Sequence, residues 1–194
     1  ADVAGAVNTA IYSGTKADYS ISRATDATYG FVYYIQDMRP AAEIQGRYVK
    51  IQLPVTDCLT LAEVQVFSNG VNVALNKLAT QSSTYSGGSA SRAVDGNTGG
   101  NFWGAGESTH TNADPNAWWQ VDLGAVYKID KIVVWNRTDD ATGRLANAKV
   151  SVLGTDSTTS WASTISVNPA VSETFEMPIG GPDGLDVLYG IGQL

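Results

Sequence analysis

A single histidine and three charged side chains downstream of it have the types and spacing of a small-ligand site. His110 is the only histidine in the chain, and Arg137, Asp139 and Arg144 follow a strand-like run at Lys131–Trp135. Arginine presents a rigid fork of N–H donors that suits hydroxyl and ring oxygens, and neutral imidazole either donates or accepts. No nucleophile, cysteine pair or second histidine accompanies them. These residues favour holding a polyhydroxylated ligand over transforming one.

The composition describes one well-cored globular domain, or one domain with an appendage. The chain has 194 residues, of which 43% are hydrophobic and 16% charged, and its formal net charge is -7. This negative charge disfavours binding to nucleic acid, and docking on an anionic membrane through a basic surface. No segment is long enough to span a membrane. Because Cys58 is the only cysteine, an intrachain disulfide is excluded, and we interpret it as a small half-buried thiol.

Short strands joined by polar turns are the dominant pattern. Arg47–Leu53 alternates between polar and apolar side chains, as a half-buried strand does, and Leu61–Phe67 reads as another strand. Further strands are predicted at residues 118–123, 131–136 and 148–153. The pattern predicts an all-β sandwich.

The two ends of the chain are less informative. Tyr29–Ile35 is rich in β-prone side chains, and residues 187–191 have the composition of a last strand. No motif in either end can be tied to chemistry. We therefore divide the chain into residues 1–44, a segment of unclear role that packs on the sandwich in one interpretation, and residues 45–194, the sandwich domain.

Three segments resemble discoidin-like, or F5/8 type C, domains and occur in the expected order: Asn72–Ser83, Ser91–Asn97 and Trp118–Gly124. Within that superfamily the nearest resemblance is to the F-type lectins, or fucolectins. Their motif is a histidine, a long fixed gap, Arg-x-Asp, and a further Arg or Lys. His110, Arg137, Asp139 and Arg144 match this motif in type and spacing. The resemblance implies a jelly-roll β-sandwich of the galactose-binding-domain-like type that binds α-L-fucose at loops on one end.

The resemblance also implies a role for each residue of the motif. Three basic side chains would hydrogen-bond the fucose ring oxygen and hydroxyls: His110, Arg137 and Arg144. Asp139 would orient the arginines through charge-assisted hydrogen bonds. Phe102 or Trp103 would form an apolar wall for the C6 methyl group. The chain departs from the family pattern at Asp140 and Ala141, where several members carry adjacent cysteines that contact the sugar.

One segment resembles a part of the family that normally lies elsewhere in the chain. Residues 46–67 are similar to the closing strand pair, which normally follows the sugar site and here precedes it. Either they complete, by circular permutation, the sandwich whose body is residues 72 to about 180, or they are the remnant of an upstream repeat. Because an incomplete sandwich would leave open strand edges, we favour permutation, which requires the natural termini to lie close together.

The resemblance further implies a structural Ca²⁺ held by hard oxygen ligands. The matching carboxylates are Asp95 and Glu63, and the matching backbone carbonyls are those of Arg92, Asn97, Glu107 and Ala62. The family usually has serine where Glu107 stands. If Glu63 completes this site, the metal would fasten the permuted strand to the loop beside the sugar pocket without touching the sugar.

Two other classes of function compete with a fucose lectin. A glycosidase would need two carboxylates that flank the scissile bond. The adjacent Asp139 and Asp140 cannot flank it, and the sequence indicates no other pair of carboxylates, either with Glu107 or without it. A different discoidin-like binder would recognise galactose or a membrane lipid. A galactose-binding module would lose little on Arg144→Ala, whereas a fucose lectin should lose nearly all binding.

We therefore expect a non-catalytic lectin or carbohydrate-binding module for terminal fucose on glycoproteins or glycolipids, secreted, with a structural calcium. It would be free-standing, or the targeting portion of a glycoside hydrolase, a toxin or another larger protein. Single-site sugar binding is generally weak, so useful avidity would require a homo-oligomer or tandem copies.

Overall fold

The computed structural model describes residues 19–28, 30–37, 43–165, 169, 171–177 and 185–189. This part of the chain consists mainly of short antiparallel strands. The strands are β1 (Tyr19–Asp26), β2 (Gly30–Asp37), β3 (Gln45–Gln52), β4 (Thr56–Cys58), β5 (Glu63–Ser68), β6 (Val71–Asn72), β7 (Leu78–Gln81), β8 (Ala113–Pro115), β9 (Trp118–Lys128), β10 (Lys131–Trp135), β11 (Lys149–Leu153), β12 (Thr159–Thr164), β13 (Ser172–Glu176) and β14 (Leu185–Tyr189). The short helices are α1 (Phe102–Ala105) and two 3₁₀ turns, Ala90–Val94 and Thr142–Leu145. In the described chain, no helix combines the length and apolarity needed to cross a membrane.

Contacts within the chain define two compact units. The larger runs from Glu43 to Met177, and the smaller combines residues 1–42 with residues 178–194. The sequence-based division placed its boundary between residues 44 and 45 and carried the sandwich domain to residue 194. The role of residues 1–44 stays a prediction.

The smaller unit contains a three-stranded antiparallel sheet. Its central strand, β2, pairs with β1 on one side and β14 on the other. The predicted strands at 29–35 and 187–191 therefore coincide with β2 and β14 in their described residues. Tyr29 and residues 190–191 lie outside the description.

The larger unit is a β-sandwich. One sheet has the order β12-β11-β3-β9-β7 and the other β13-β10-β5-β6, while a separate short ladder joins β4 to β8. Alternation along β3 buries Val49 and Ile51 completely and leaves Lys50 half-exposed on the outer face. Val64 and Val66 of β5 are buried from the opposite sheet and join the same apolar core. The predicted all-β sandwich is confirmed.

The segment that precedes the body of the sandwich supplies internal strands to both sheets. Strand β3 pairs with β9 and β11, and β5 pairs with β10 and β6. The fit around β3 is tight at Gly46, where an added Cβ would lie 2.8 Å from the carbonyl oxygen of Leu153. Residues 46–67 thus belong to the same sandwich as residues 71–177.

Candidate functional site

Arg137 is fixed in place where the chain leaves β10. Its side chain is 1% exposed, and its Nε donates to Oδ1 of Asp139 at 2.5 Å. Asp139 also accepts from the backbone N–H of Trp103 at 2.9 Å. The hydrogen bond from Arg137, reinforced by the one from the Trp103 N–H, holds the pKa of the Asp139 carboxyl well below its usual range. Asp139 is therefore ionised, and its carboxylate accepts a hydrogen bond from the Arg137 guanidinium.

Helix α1 lies against this guanidinium with its aromatic residues. The Cζ of Arg137 lies 5.0 Å from the ring centroid of Phe102 and 5.8 Å from that of Trp103, within the range of cation–π attraction. Phe102 is 5% exposed, whereas Trp103 is 61% exposed. Of the two aromatics predicted as an apolar wall, Trp103 presents its ring at the surface and Phe102 supports Arg137 from beneath.

His110 is buried and held in one tautomer. Arg144 can only donate, and its Nη1 lies 3.4 Å from His110 Nε2, so Nε2 carries the lone pair. Nδ1–H then donates to the carbonyl of Thr111 at 2.7 Å. Burial lowers the pKa of His110, and the positive charges of Arg144 and Arg137 lower it further. The imidazole is neutral near pH 7, with an acceptor nitrogen beside Arg144.

Arg144 comes from the 3₁₀ turn Thr142–Leu145 and is steadied from another part of the chain. Its Nε lies 3.4 Å from Oδ1 of Asp57, at side-chain exposures of 27% and 44%. Asp57 is in β4, which pairs with β8 shortly after His110. The early segment of the chain thus contributes a positioning carboxylate to this cluster.

Three residues of the motif, His110, Arg137 and Arg144, line a cleft of about 350 Å³. Asp139 is bonded to Arg137 and is not in the lining. Among the described residues the lining is Cys58, Tyr85, Trp103, His110, Asn112, Ala113, Arg137, Asp140 and Arg144. Cationic, neutral polar and aromatic groups around one cleft are suited to a small polar ligand with an apolar face.

Sequence reasoning missed Tyr85, which lines this cleft, and Asp57, which contacts Arg144 from outside the lining. The Tyr85 ring lies 4.9 Å from the His110 ring, and Tyr85 is 44% exposed. Its loop carries no motif, and the only available signal was an aromatic residue in a polar stretch. Asp140 lines the cleft where several family members carry a cysteine, and its Oδ2 lies 4.0 Å from Arg137 Nη2.

Two glycines allow the loops to approach closely here. An added Cβ at Gly88 would lie 2.6 Å from the backbone nitrogen of His110. Gly100 has φ +76°, and its Cβ would lie 2.8 Å from the carbonyl oxygen of Asn136. A side chain at either position would displace the histidine loop or the arginine loop.

Of the residues predicted to hold calcium, Glu63 contacts the loop that contains Asp95. Glu63 is fully buried, and its Oε1 accepts from the backbone N–H of Gly96 at 3.1 Å. Its Oε2 is also buried and has no hydrogen-bond partner in the described chain. Burial raises the pKa of Glu63 to about 7, and the negative charge of Asp95 contributes to the rise. A buried carboxylate with one unpartnered oxygen near the charge of Asp95 fits a hard divalent cation.

The other residues predicted to hold calcium are placed as follows. The side chain of Asp95 accepts from the backbone N–H of Asn97 at 2.9 Å. Arg92 donates from Nη1 to the carbonyl of Ser108 at 3.2 Å, and Glu107 Oε2 accepts from the Asn101 N–H at 3.1 Å. Ala62 is fully buried. Within the described residues no group of three or more His, Cys, Asp or Glu side chains could hold a metal, so such a site would depend on backbone carbonyls.

The structure is an antiparallel β-sandwich with a ligand-sized cleft among its loops, and comparisons with known proteins identify its class as the discoidin-like domains. The family model for the NedA-like, galactose-binding F5/F8 type C domain matches residues 92–181. A Streptococcus pneumoniae fucose binding module is 34% identical, with a TM-score of 0.54 over 63% of this chain and 86% of that chain. The lectin domain of lectinolysin, solved with Lewis B antigen, is 34% identical, with a TM-score of 0.53 over 61% and 84%.

Curated relatives point to a particular branch of that class. Fucolectin from Anguilla anguilla is 38% identical over 86 residues, which are 42% of this chain and 54% of that protein. Fucolectin-3 from Anguilla japonica is 40% identical over 42% of this chain and 47% of that protein. The chain belongs to the F-type lectin family of the discoidin-like superfamily. It spans about half the length of the curated relatives it matches.

Proposed function

We propose that this chain is a lectin module that binds terminal α-L-fucose on glycans. The observation that carries the proposal is the convergence of His110, Arg137 and Arg144 on one cleft, with Asp139 fixing Arg137. Both arginines would donate to the ring oxygen and hydroxyls, and His110 Nε2 would accept from a hydroxyl. Trp103 would cover the C6 methyl group. Relatives named as a fucose binding module and as fucolectins support this ligand.

Binding without turnover is part of the proposal. The named relatives are lectins and binding modules. The carboxylates near the cleft, Asp57, Asp139 and Asp140, are each placed beside an arginine. They would therefore orient donors for the sugar, and no chemical step at the glycosidic bond is assigned to them.

A structural Ca²⁺ is proposed at Glu63 and Asp95, with the carbonyls of Arg92, Asn97, Glu107 and Ala62 as further ligands. Support comes from the buried, unpartnered Oε2 of Glu63 and from the Gly96 contact, which joins β5 to the Asp95 loop. The cation would supply positive charge that offsets the buried carboxylate and would restrain this loop. The Asp95 loop is followed by α1, which supports Arg137, so the metal would act on the sugar pocket indirectly.

We also propose that the strand order reflects circular permutation and that the protein acts outside the cell. The placement of β3 and β5 within the sheets built from residues 71–177 supports permutation. Fucosylated glycans on glycoproteins or glycolipids would be the partners. A homo-oligomer or a larger parent protein, such as a toxin or a glycoside hydrolase, would supply avidity.

A galactose-type sugar is the second candidate ligand, because the matching family model is described as galactose-binding. L-Galactose differs from L-fucose only by a hydroxyl on C6, so this pair of sugars isolates the methyl contact. We expect L-fucose to bind about tenfold more tightly than L-galactose, since a methyl group against Trp103 gains burial and a hydroxyl there loses hydration. In Trp103→Ala the difference should shrink to about twofold. Calorimetric titration measures both ratios; an unchanged ratio in the variant, or a preference for D-galactose in the wild type, would contradict the proposed pocket.

Fucose affinity is expected to be constant from pH 8 to about 6.5 and to fall below that value. Protonation of His110 would replace its acceptor nitrogen by a donor beside two guanidiniums. Because burial lowers the pKa of His110, this loss begins only below the ordinary histidine range. By linkage, the contribution of His110 to the free energy of unfolding is fully present above about pH 6.5 and is lost as the pH falls through the lowered pKa.

The check is the ratio of wild-type to His110→Gln affinity at several pH values, because glutamine keeps an acceptor and does not titrate. The ratio should fall as the pH drops. A ratio that is constant from pH 8 to 5 would show that His110 does not act as the neutral acceptor.

A further inference from the structure

A second groove lies on the outer face of the five-stranded sheet. It measures about 330 Å³ and involves β3, β9, β11 and the turn before β12. The groove is lined by Lys50, Gln52, Gln120, Lys149, Ser151, Leu153, Ser157 and Thr159. Because successive side chains of a strand point to opposite faces of the sheet, the strand residues of this lining face away from the core. None of the residues assigned to the candidate fucose site contributes to this lining.

The groove is positively charged on a negatively charged protein. Lys50 and Lys149 line it, and no carboxylate of the described chain does, although the protein carries a net charge of -7. Neither lysine forms an ion pair with a described carboxylate. The ammonium of Lys50 lies 5.4 Å from the ring centroid of Trp118, which holds it above the sheet. Two unneutralised cations on one face complement an anionic ligand.

Uncharged polar groups fill the space around these cations. Lys50 is flanked by Gln120 on β9 and by Ser151 on β11. Ser151 lines the groove floor, and its hydroxyl makes no hydrogen bond to a described residue. This hydroxyl is therefore free to bond to a ligand in the groove. Amide and hydroxyl groups of this kind match the donors and acceptors of sugar hydroxyls.

We propose that this groove binds an extended anionic polysaccharide. Its carboxylate or sulfate groups pair with Lys50 and Lys149, and its hydroxyls bond to Gln120 and Ser151. Strand spacing of about 4.8 Å places β9 and β11 roughly 10 Å apart across β3. The groove is therefore wide enough for a segment of a polysaccharide and wider than a single small anion requires. This site is independent of the proposed fucose pocket.

The test is titration of the whole chain with three tetrasaccharides at physiological salt. A tetragalacturonate carries carboxylates, a heparin-derived tetrasaccharide adds sulfates, and cellotetraose is neutral. We expect saturable binding of at least one charged oligosaccharide, which also identifies the anionic group, and binding of cellotetraose weaker by about tenfold or more. Saturating L-fucose should leave the affinity unchanged, so failure of one site does not imply failure of the other.

A charge-matched pair of variants localises the binding. Lys50→Gln/Lys149→Gln should weaken the charged oligosaccharide by about tenfold or more, whereas Lys128→Gln/Lys131→Gln, outside the groove, should stay within about twofold of wild type. Equal losses in both variants, or no binding of either charged tetrasaccharide, would overturn the proposal. Equally tight binding of a polyphosphate of the same charge through the same lysines would also overturn the proposal, because the groove would then recognise charge and not a sugar.

Discussion

Arg137→Ala is expected to weaken fucose binding by about 100-fold or more, which in practice removes it from a calorimetric titration. The wild-type guanidinium is 1% exposed, is bonded to Asp139 through Nε and lies against Phe102. Its buried Nη2 has no hydrogen-bond partner in the described chain, so the sugar would satisfy a donor that is already in position. Hydrogen bonds involving a charged group contribute about 1.5–3 kcal/mol each, and two of them account for the loss.

The controls separate loss of the contact from loss of the fold. Arg47→Ala removes the same charge at the Asp122 pair, remote from the cleft lining, and should bind fucose as the wild type does. Arg144→Ala removes a less buried member of the site and should also lose nearly all binding. Thermal unfolding verifies that each variant is folded. A folded Arg137→Ala or Arg144→Ala protein that binds within about threefold of wild type would contradict the assignment.

Calcium is expected to raise the unfolding temperature of the wild type by several degrees over EDTA, and Glu63→Gln should abolish that rise. A ligand at about 100 times its dissociation constant stabilises the folded state by about 2.7 kcal/mol, which corresponds to roughly 5–11 °C for a protein of this size. Glutamine preserves the size of the side chain and an acceptor for the Gly96 N–H, but it lacks the charge that would hold the cation. Glu176→Gln makes the same chemical change at an exposed position and should retain the full calcium response.

The pH dependence in EDTA provides an independent readout of the same carboxylate. The folded pKa of Glu63 is raised to about 7, so the folded state binds more protons than the unfolded state between its ordinary value and about 7. Its contribution to stability is therefore present at low pH and lost as the pH rises through that window. Glu63→Gln should accordingly be the more stable of the two metal-free proteins at pH 8. A calcium response that survives in Glu63→Gln would rule out this residue as a ligand.

The strands could be predicted because their information is local. The alternation in Arg47–Leu53 reports directly which side chains face the core, and β3 has that pattern. The apolar run at 131–136 likewise became β10 because its alternate residues pack in the core. Neither run indicates which strand of the sheet pairs with it. The placement of residues 46–67 among later strands required the family resemblance together with the argument against open edges.

The motif residues were found in the sequence through their match to the family motif, and His110 and the two arginines line one cleft. What they bind stays a prediction. Tyr85 and Asp57 could not be found in this way, because the loop of Tyr85 and the strand of Asp57 reach His110 and Arg144 only through contacts between distant parts of the chain. The choice between Phe102 and Trp103 was undecided for a related reason. Adjacent residues of a single helical turn face different ways, and only packing determines which one is buried.

The most direct measurement is a calorimetric titration of the calcium-loaded wild type with L-fucose and, separately, with D-galactose. The proposed function predicts saturable, one-to-one binding of L-fucose and binding of D-galactose that is absent or weaker by at least about tenfold. A folded protein that shows no heat of binding with L-fucose, or that binds D-galactose equally well, would contradict the assignment of this F-type lectin domain to fucose.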